Sequence, residues 1–219
     1  MKIMSILKVL GPIMVGPSSS HTLGAIKIAR FVHKLIGGIP EEVQFLLHGS
    51  FSKTYRGHGT DRALLAGIMG LQQDDPKIKN AFEIAKEKNL KYSFKVTDLG
   101  DVHPNTVRIK CTKDGISHEI EGSSIGGGNI LITSIDSVPC NLSWDFDTLV
   151  IVNKDVPKAL EKILETIKVN VANLYLRRIN ALLERALTII ELDEPIENLA
   201  EIKKLSWVYE CYFVRRDTK

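Results

Sequence analysis

An α+β protein in two domains is expected from three features of this 219-residue chain. An amphipathic helical period begins just after residue 22. A run of short β-prone segments fills residues 91–135. From residue 148 onward the order reads strand, helix, strand, strand, helix, strand, which is the ferredoxin-like βαββαβ pattern. The expected domains are residues 1–147 and residues 148–219.

Each element has a local reason. After "SSSHT", apolar or small residues recur at Ala25, Ile28, Ala29, Val32, Leu35 and Ile36, with Lys27, Arg30 and Lys34 on the opposite face. Gly37, Gly38 and Pro40 stop that helix. "VQFLLHGSF" reads as a strand that runs into a Gly-rich loop, "YRGHGTD". A second helix begins near Thr60 or Asp61, and Pro76 opens a third. "KYSFKVTD", "TVRIKCT", "SHEIEGSSI" and "NILITSI" alternate as strands, with Asp114-Gly115 as a hairpin turn. "DSVPCNLSWDFD", residues 136–147, reads as a linker. In the second domain Leu149–Val152 and Leu187–Ile190 are the expected core strands, and Trp207 is expected to cover an edge.

Composition removes several function classes. The formal net charge is +3, with no dense Lys/Arg stripe, so nucleic acid is not an expected partner. No apolar run is long enough to span a bilayer, so no membrane is expected. "MKIMSILKVLGPIM" lacks a long apolar region and a small-residue cleavage site, which predicts no signal peptide. Cys111, Cys140 and Cys211 are widely spaced and form neither a CxxC pair nor an even disulfide set. A reducing cytoplasm is the expected location. The same spacing means that this chain alone cannot hold a four-Cys iron–sulfur cluster.

Three polar clusters lie at expected element junctions. In "GPSSSHT", Ser18, Ser19, Ser20 and Thr22 can each cap the following helix, and one cap would suffice. The surplus suits a carboxylate or phosphate at a helix N-terminus, and on spacing alone it equally suits a redundant cap. In "GHGTD", His58 stands between two glycines ahead of a helix start, which disfavours imidazolium and suits a base. A surface-loop histidine gives the same pattern. In "HPNT" and "SIGGGNI", His103, Asn105, Gly126 and Gly127 stand at strand ends, where a ligand or a simple turn would both fit. His48 reads as a hydrogen-bonded core histidine, and His33 and His118 as solvated-face residues. His21, His48, His58 and His103 have no metal-ligand spacing, so no metal site is expected in this chain.

Taken in order, "GPSSSHT", "HGSF…TYRGHGTD", "VHPNT" and "SIGGGNI" resemble the β subunit of iron–sulfur-dependent L-serine dehydratase (L-serine ammonia-lyase) over almost the whole chain. The resemblance implies an N-terminal domain like the allosteric substrate-binding domain of some phosphoglycerate dehydrogenases, followed by an ACT domain. It implies an α-subunit partner whose cysteines ligate a [4Fe–4S] cluster. It also implies the conversion of L-serine to pyruvate and ammonia. By carry-over His58 is the candidate base, or a group close to it, and His21 is the second candidate catalytic residue, lining the same face. Ser18, Ser19, Ser20, Thr22, His103, Asn105, Gly126 and Gly127 are the candidate substrate-binding residues, and Asp61 is expected to cap the following helix and so orient the loop. Amino-acid-binding ACT domains often carry a glycine after their first strand. The loop "NKDVPKAL" has none, which points that domain toward homodimer contacts.

Two other readings follow from the same residues. An amino-acid-sensing regulatory subunit would use the site for binding alone. A Ser/His hydrolase would need a G-x-S-x-G elbow, which the chain lacks.

Overall fold

The computed structural model describes Gly16 and residues 18–217. The segment read above for a signal peptide lies outside the described residues. The chain divides into two compact units after Ser143. Both mix helices and sheet. Among the described residues no helix is long and apolar enough to cross a membrane.

In the first unit a single π-helical turn, Ser19–Leu23, leads directly into α1, Gly24–Leu35. Ala25, Ile28, Ala29, Val32 and Leu35 are almost fully buried, so the periodic apolar face is the packed one. Strand β1 (Glu42–Leu47) is followed by α2 (Gly49–Thr54) and α3 (Thr60–Ile68). A 3₁₀ turn at Pro76–Asn80, capped by the Asp75 carboxylate on the Lys77 N–H, precedes α4 (Ala81–Glu87). Then come β2 (Lys91–Val96), β3 (Thr106–Lys113), β4 (Ile116–Gly126), β5 (Asn129–Ile135) and β6 (Val138–Leu142).

These strands form one sheet in the order β2-β1-β3-β4-β5-β6, parallel only between β1 and β2. Alternation sets which residues reach the core. Phe45 pairs with Ile109, Ile109 with Ile120, and all three are buried. Helix α1 packs on β4 and β5, and α3 packs on α1.

Four expectations change. The segment read as a linker contains β6, an edge strand whose Val138 and Leu142 are buried. Pro139 is tolerated because an edge strand has one free side. Gly49–Thr54, read as part of a loop, is a short helix. His118 is not a solvated-face residue. It shares the buried side of β4 with Ile120, 7% exposed, and its Nδ1 lies 2.9 Å from Asp136 Oδ2. Asp136 also accepts the Glu119 N–H, and its left-handed backbone with that of Ser137 makes the two-residue β5–β6 turn. His33 is half-buried and is held at Nδ1 by the Ile68 carbonyl, 2.8 Å away.

The second unit runs β7 (Asp147–Lys154), α5 (Ala159–Thr166), β8 (Val171–Asn180), β9 (Arg185–Leu192), α6 (Leu199–Lys203) and β10 (Val208–Val214). Its sheet is antiparallel, in the order β10-β7-β9-β8. Leu149, Ile151, Ile190 and Leu192 meet Ile163 and Ile167 of the α5 region and Ile202 of α6 in one apolar cluster, against which Trp207 packs. The loop without glycine solves its turn at Lys158, which adopts φ 69°.

Candidate active site

The π-helical turn, the start of α2 and the loop before α3 meet at His21. The π-helical turn places it. Ser18 is the N-cap, with its Oγ accepting the His21 N–H at 3.2 Å. The Gly24 N–H reaches back to the Ser19 carbonyl, the wide spacing of a π turn, a device found often at functional sites. The half-buried imidazole is then held on both edges. Its Nδ1 lies 3.1 Å from Ser20 Oγ and 3.3 Å from Ser18 Oγ, and its Nε2 lies 2.9 Å from Ser50 Oγ. The Phe51 ring stands edge-on to it at 5.6 Å.

His58 comes in from the loop before α3. Its backbone is fixed twice: its N–H donates to the Thr54 carbonyl at 2.9 Å, and its carbonyl accepts the Thr22 hydroxyl at 3.0 Å. Thr22 itself is buried and ties the two loops together. The His58 side chain is exposed and makes no ring hydrogen bond among the described residues. It meets His21 edge to face, with centroids 4.9 Å apart at 83°. Gly59, left-handed at φ 69°, turns the chain into α3, and no side chain caps that helix. Asp61, in its first turn, accepts the Arg62 N–H at 2.8 Å. Burial raises its pKa against the pull of that bond and of the Arg62 and Arg56 charges.

The "HPNT" loop supports the site from behind. The Pro104 carbonyl accepts the Ser50 N–H at 2.7 Å, which seats Ser50 against His21. His103 is exposed and holds its own loop, with Nδ1 accepting the Asn105 N–H at 3.1 Å. The Asn105 carbonyl accepts the Ser124 N–H at 2.9 Å. Asn105 Oδ1, Ser124 Oγ and Thr60 Oγ1 are buried without a hydrogen-bond partner. Such atoms invite a polar ligand or water. In the glycine run, Gly126 and Gly127 form the exposed side of the β4–β5 turn, while Gly128 is pressed on Leu23. Ser19 is exposed.

Ser50 is the residue that sequence reasoning passed over. The signal was present, in the "HGSF" of the second motif, but its partner lies 29 positions away.

Burial first, and then the neighbouring His58, lower the His21 pKa from its ordinary 6.5. The unfolded chain therefore takes up a proton on His21 before the folded chain does as the pH falls. Stability is expected to drop between about pH 7 and about pH 5, and His21→Gln is expected to drop less over the same range in urea titrations. His33, also lowered chiefly by burial, adds a contribution of the same sign. Equal slopes for wild type and His21→Gln would remove His21 as a source.

The first unit is thus an α+β unit that brings together a histidine pair, a serine-lined helix entry and buried polar atoms without hydrogen-bond partners among the described residues. Residues 5–96 match the family described as serine dehydratase beta chain. The chain is 40% identical over 197 residues to the L-serine dehydratase beta chain of Peptoniphilus asaccharolyticus, covering 88% of each. It is 37% identical over 210 residues to a probable L-serine dehydratase beta chain of Bacillus subtilis, covering 94% of this chain and 95% of that one. It is also 24% identical over 204 residues to a D-3-phosphoglycerate dehydrogenase of Synechocystis, covering 90% of this chain and 35% of that one. The chain belongs to the serine dehydratase beta-chain family.

Proposed function

We propose that this chain is the β subunit of an L-serine dehydratase, converting L-serine to pyruvate and ammonia with an α subunit that ligates a [4Fe–4S] cluster. The observation that carries the reading is the His21–His58 pair, set among serine hydroxyls in a chain of this family.

The residues of this chain do not fit a cluster. Burial, with the Asp136 charge, pushes the Cys111 thiol up to about 12, and burial pushes Cys211 up to about 11, so both are held as thiols. Among the described residues no group of three or more His, Cys, Asp or Glu side chains could hold a metal ion. The proposal accordingly places the cluster on the partner subunit.

The chemistry left to this chain is binding and proton transfer. Serine's carboxylate is taken by the Ser18–Ser20 entry, with His103, Asn105, Gly126 and Gly127 as further candidate substrate contacts. Thr22 holds the His58 loop. A ring nitrogen of His58 takes the Cα proton. The Cα–Cβ double bond forms as the Cβ–O bond breaks, and the departing hydroxide takes a proton to leave as water. The aminoacrylate so formed tautomerises to an imine, which water converts to pyruvate and ammonia.

The unit order βαββαβ with sheet order β10-β7-β9-β8, and the similarity to a phosphoglycerate dehydrogenase, support an ACT-like second domain after a substrate-binding-like first one. Exposed Leu174 and Leu176 on the edge strand β8 support a homodimer contact there. A cytoplasmic setting agrees with three cysteines that form no disulfide.

The test is anaerobic reconstitution with the α partner. Serine-dependent pyruvate is expected only when both chains are present. Equal pyruvate from the α chain alone would sink the reading.

A further inference from the structure

We propose that Ser50 is a positioning residue that fixes the ring of His21, and through it the wall against which His58 works. The proposal rests on the dehydratase reading for its catalytic part and on geometry alone for its structural part.

The Ser50 hydroxyl is aimed at His21. Its Oγ has one hydrogen-bond partner among the described residues, His21 Nε2 at 2.9 Å. Its remaining polar groups are used to hold it in place. Its N–H donates to the Pro104 carbonyl at 2.7 Å, and its carbonyl accepts the Thr54 hydroxyl at 2.9 Å. Behind it, Gly49 is left-handed at φ 52°, and a Cβ there would lie 2.6 Å from the Pro104 oxygen. The "HG" before Ser50 is thus a mount that only glycine allows.

A neutral imidazole offers one donor and one acceptor. Serine hydroxyls on both edges can satisfy either tautomer, but they lock the plane of the ring. Ser18 and Ser20 are neighbours of His21 in sequence and move with it. Among the described residues, Ser50 makes the hydrogen bond that ties the ring to a different element, α2, where Phe51 also packs edge-on against it. Because His21 stands edge to face with His58 at 4.9 Å, rotation of the His21 ring would change the space open to the His58 ring. Among the described residues His58 has no ring hydrogen bond to resist that, and its ring meets His21 edge to face.

The experiment has two arms, on the full chain with Ser50→Ala, Ser50→Thr and Ser50→Cys. In the first, imidazole nitrogen resonances of His21 are recorded on the chain by NMR. Wild type and Ser50→Thr are expected to show the same sharp His21 ring resonances, and Ser50→Ala and Ser50→Cys shifted or exchange-broadened ones, as the ring is released from one orientation. In the second, the same chains are reconstituted with the α partner. Ser50→Ala and Ser50→Cys are expected to lower kcat about 5- to 10-fold, the scale of one neutral hydrogen bond, with KM for serine within about twofold, and Ser50→Thr to restore kcat. An unchanged His21 signature in Ser50→Ala and Ser50→Cys overturns the proposal, and so does a changed signature with unchanged kcat. If Ser50→Ala does not fold, Ser50→Cys and Ser50→Thr decide. If wild type itself gives no turnover, the dehydratase reading fails, while the NMR arm still decides whether Ser50 fixes His21.

Discussion

His58→Ala, reconstituted with the α partner, is expected to lower kcat for serine by about 10²- to 10⁴-fold, the usual worth of a positioned general base. The substitution separates chemistry from folding unusually well. Both interactions that fix residue 58 are made by its backbone, the N–H to Thr54 and the carbonyl from Thr22, and alanine keeps them. The ring itself is exposed, so its removal is expected to change stability by no more than about 0.5 kcal/mol. Thermal melting of the chain and steady-state turnover of the complex, measured side by side, make the check. Turnover within a few-fold of wild type would end the assignment of His58 as the base.

The choice of His58 over His21 follows from what each ring is already doing. His21 is held at both nitrogens by hydroxyls and is half-buried, so taking a substrate proton would cost it an existing bond. His58 carries no such commitment and faces outward, where a substrate and a second chain can reach it. On the sequence alone the two histidines were a base and a neighbour by resemblance. The structure places their rings in contact and gives the neighbour a scaffold of three serines.

How far the sequence could be read depended on whether the physics was local. Helix α1 was legible because Ala25, Ile28, Ala29, Val32 and Leu35 repeat at helical spacing and all of them are buried. The βαββαβ order was legible because strands and helices of the second unit alternate with clear breaks. Helix α2 was missed because its six residues bury only Phe51 and so show no period. Strand β6 was missed because Pro139 argues against a strand unless the strand is known to lie at an edge. His118 was misread because its polar neighbours Ser117 and Glu119 suggested a wet face, while strand alternation points it inward beside Ile120. In the site, Ser18, Ser20 and His21 declared themselves by crowding within four residues. Ser50 could not, because its meaning lies in a contact made only after α1 and α2 are both in place.

Gly49→Ala is expected to damage both the fold and the activity, and the size of each loss tests how the site is mounted. Residue 49 sits at φ 52°, a region costly for any residue with a Cβ, and the new methyl would lie 2.6 Å from the Pro104 oxygen and 2.8 Å from its Cα. Those are backbone atoms, so no side chain can rotate away. The expected cost is about 1–3 kcal/mol of stability, read as a lower urea midpoint with an unchanged slope. Relief comes by pushing the start of α2 away from the "HPNT" loop, which breaks the Ser50 N–H bond to Pro104 and draws the Ser50 hydroxyl off His21. Activity with the α partner is then expected to fall by on the order of 10²-fold, the effect of a displacement of about 1 Å in a catalytic constellation. This exceeds the Ser50→Ala loss because the Pro104 loop moves as well. At a temperature where the variant is fully folded, the activity loss should persist. Full activity under those conditions would mean that the mount at Gly49 serves folding alone.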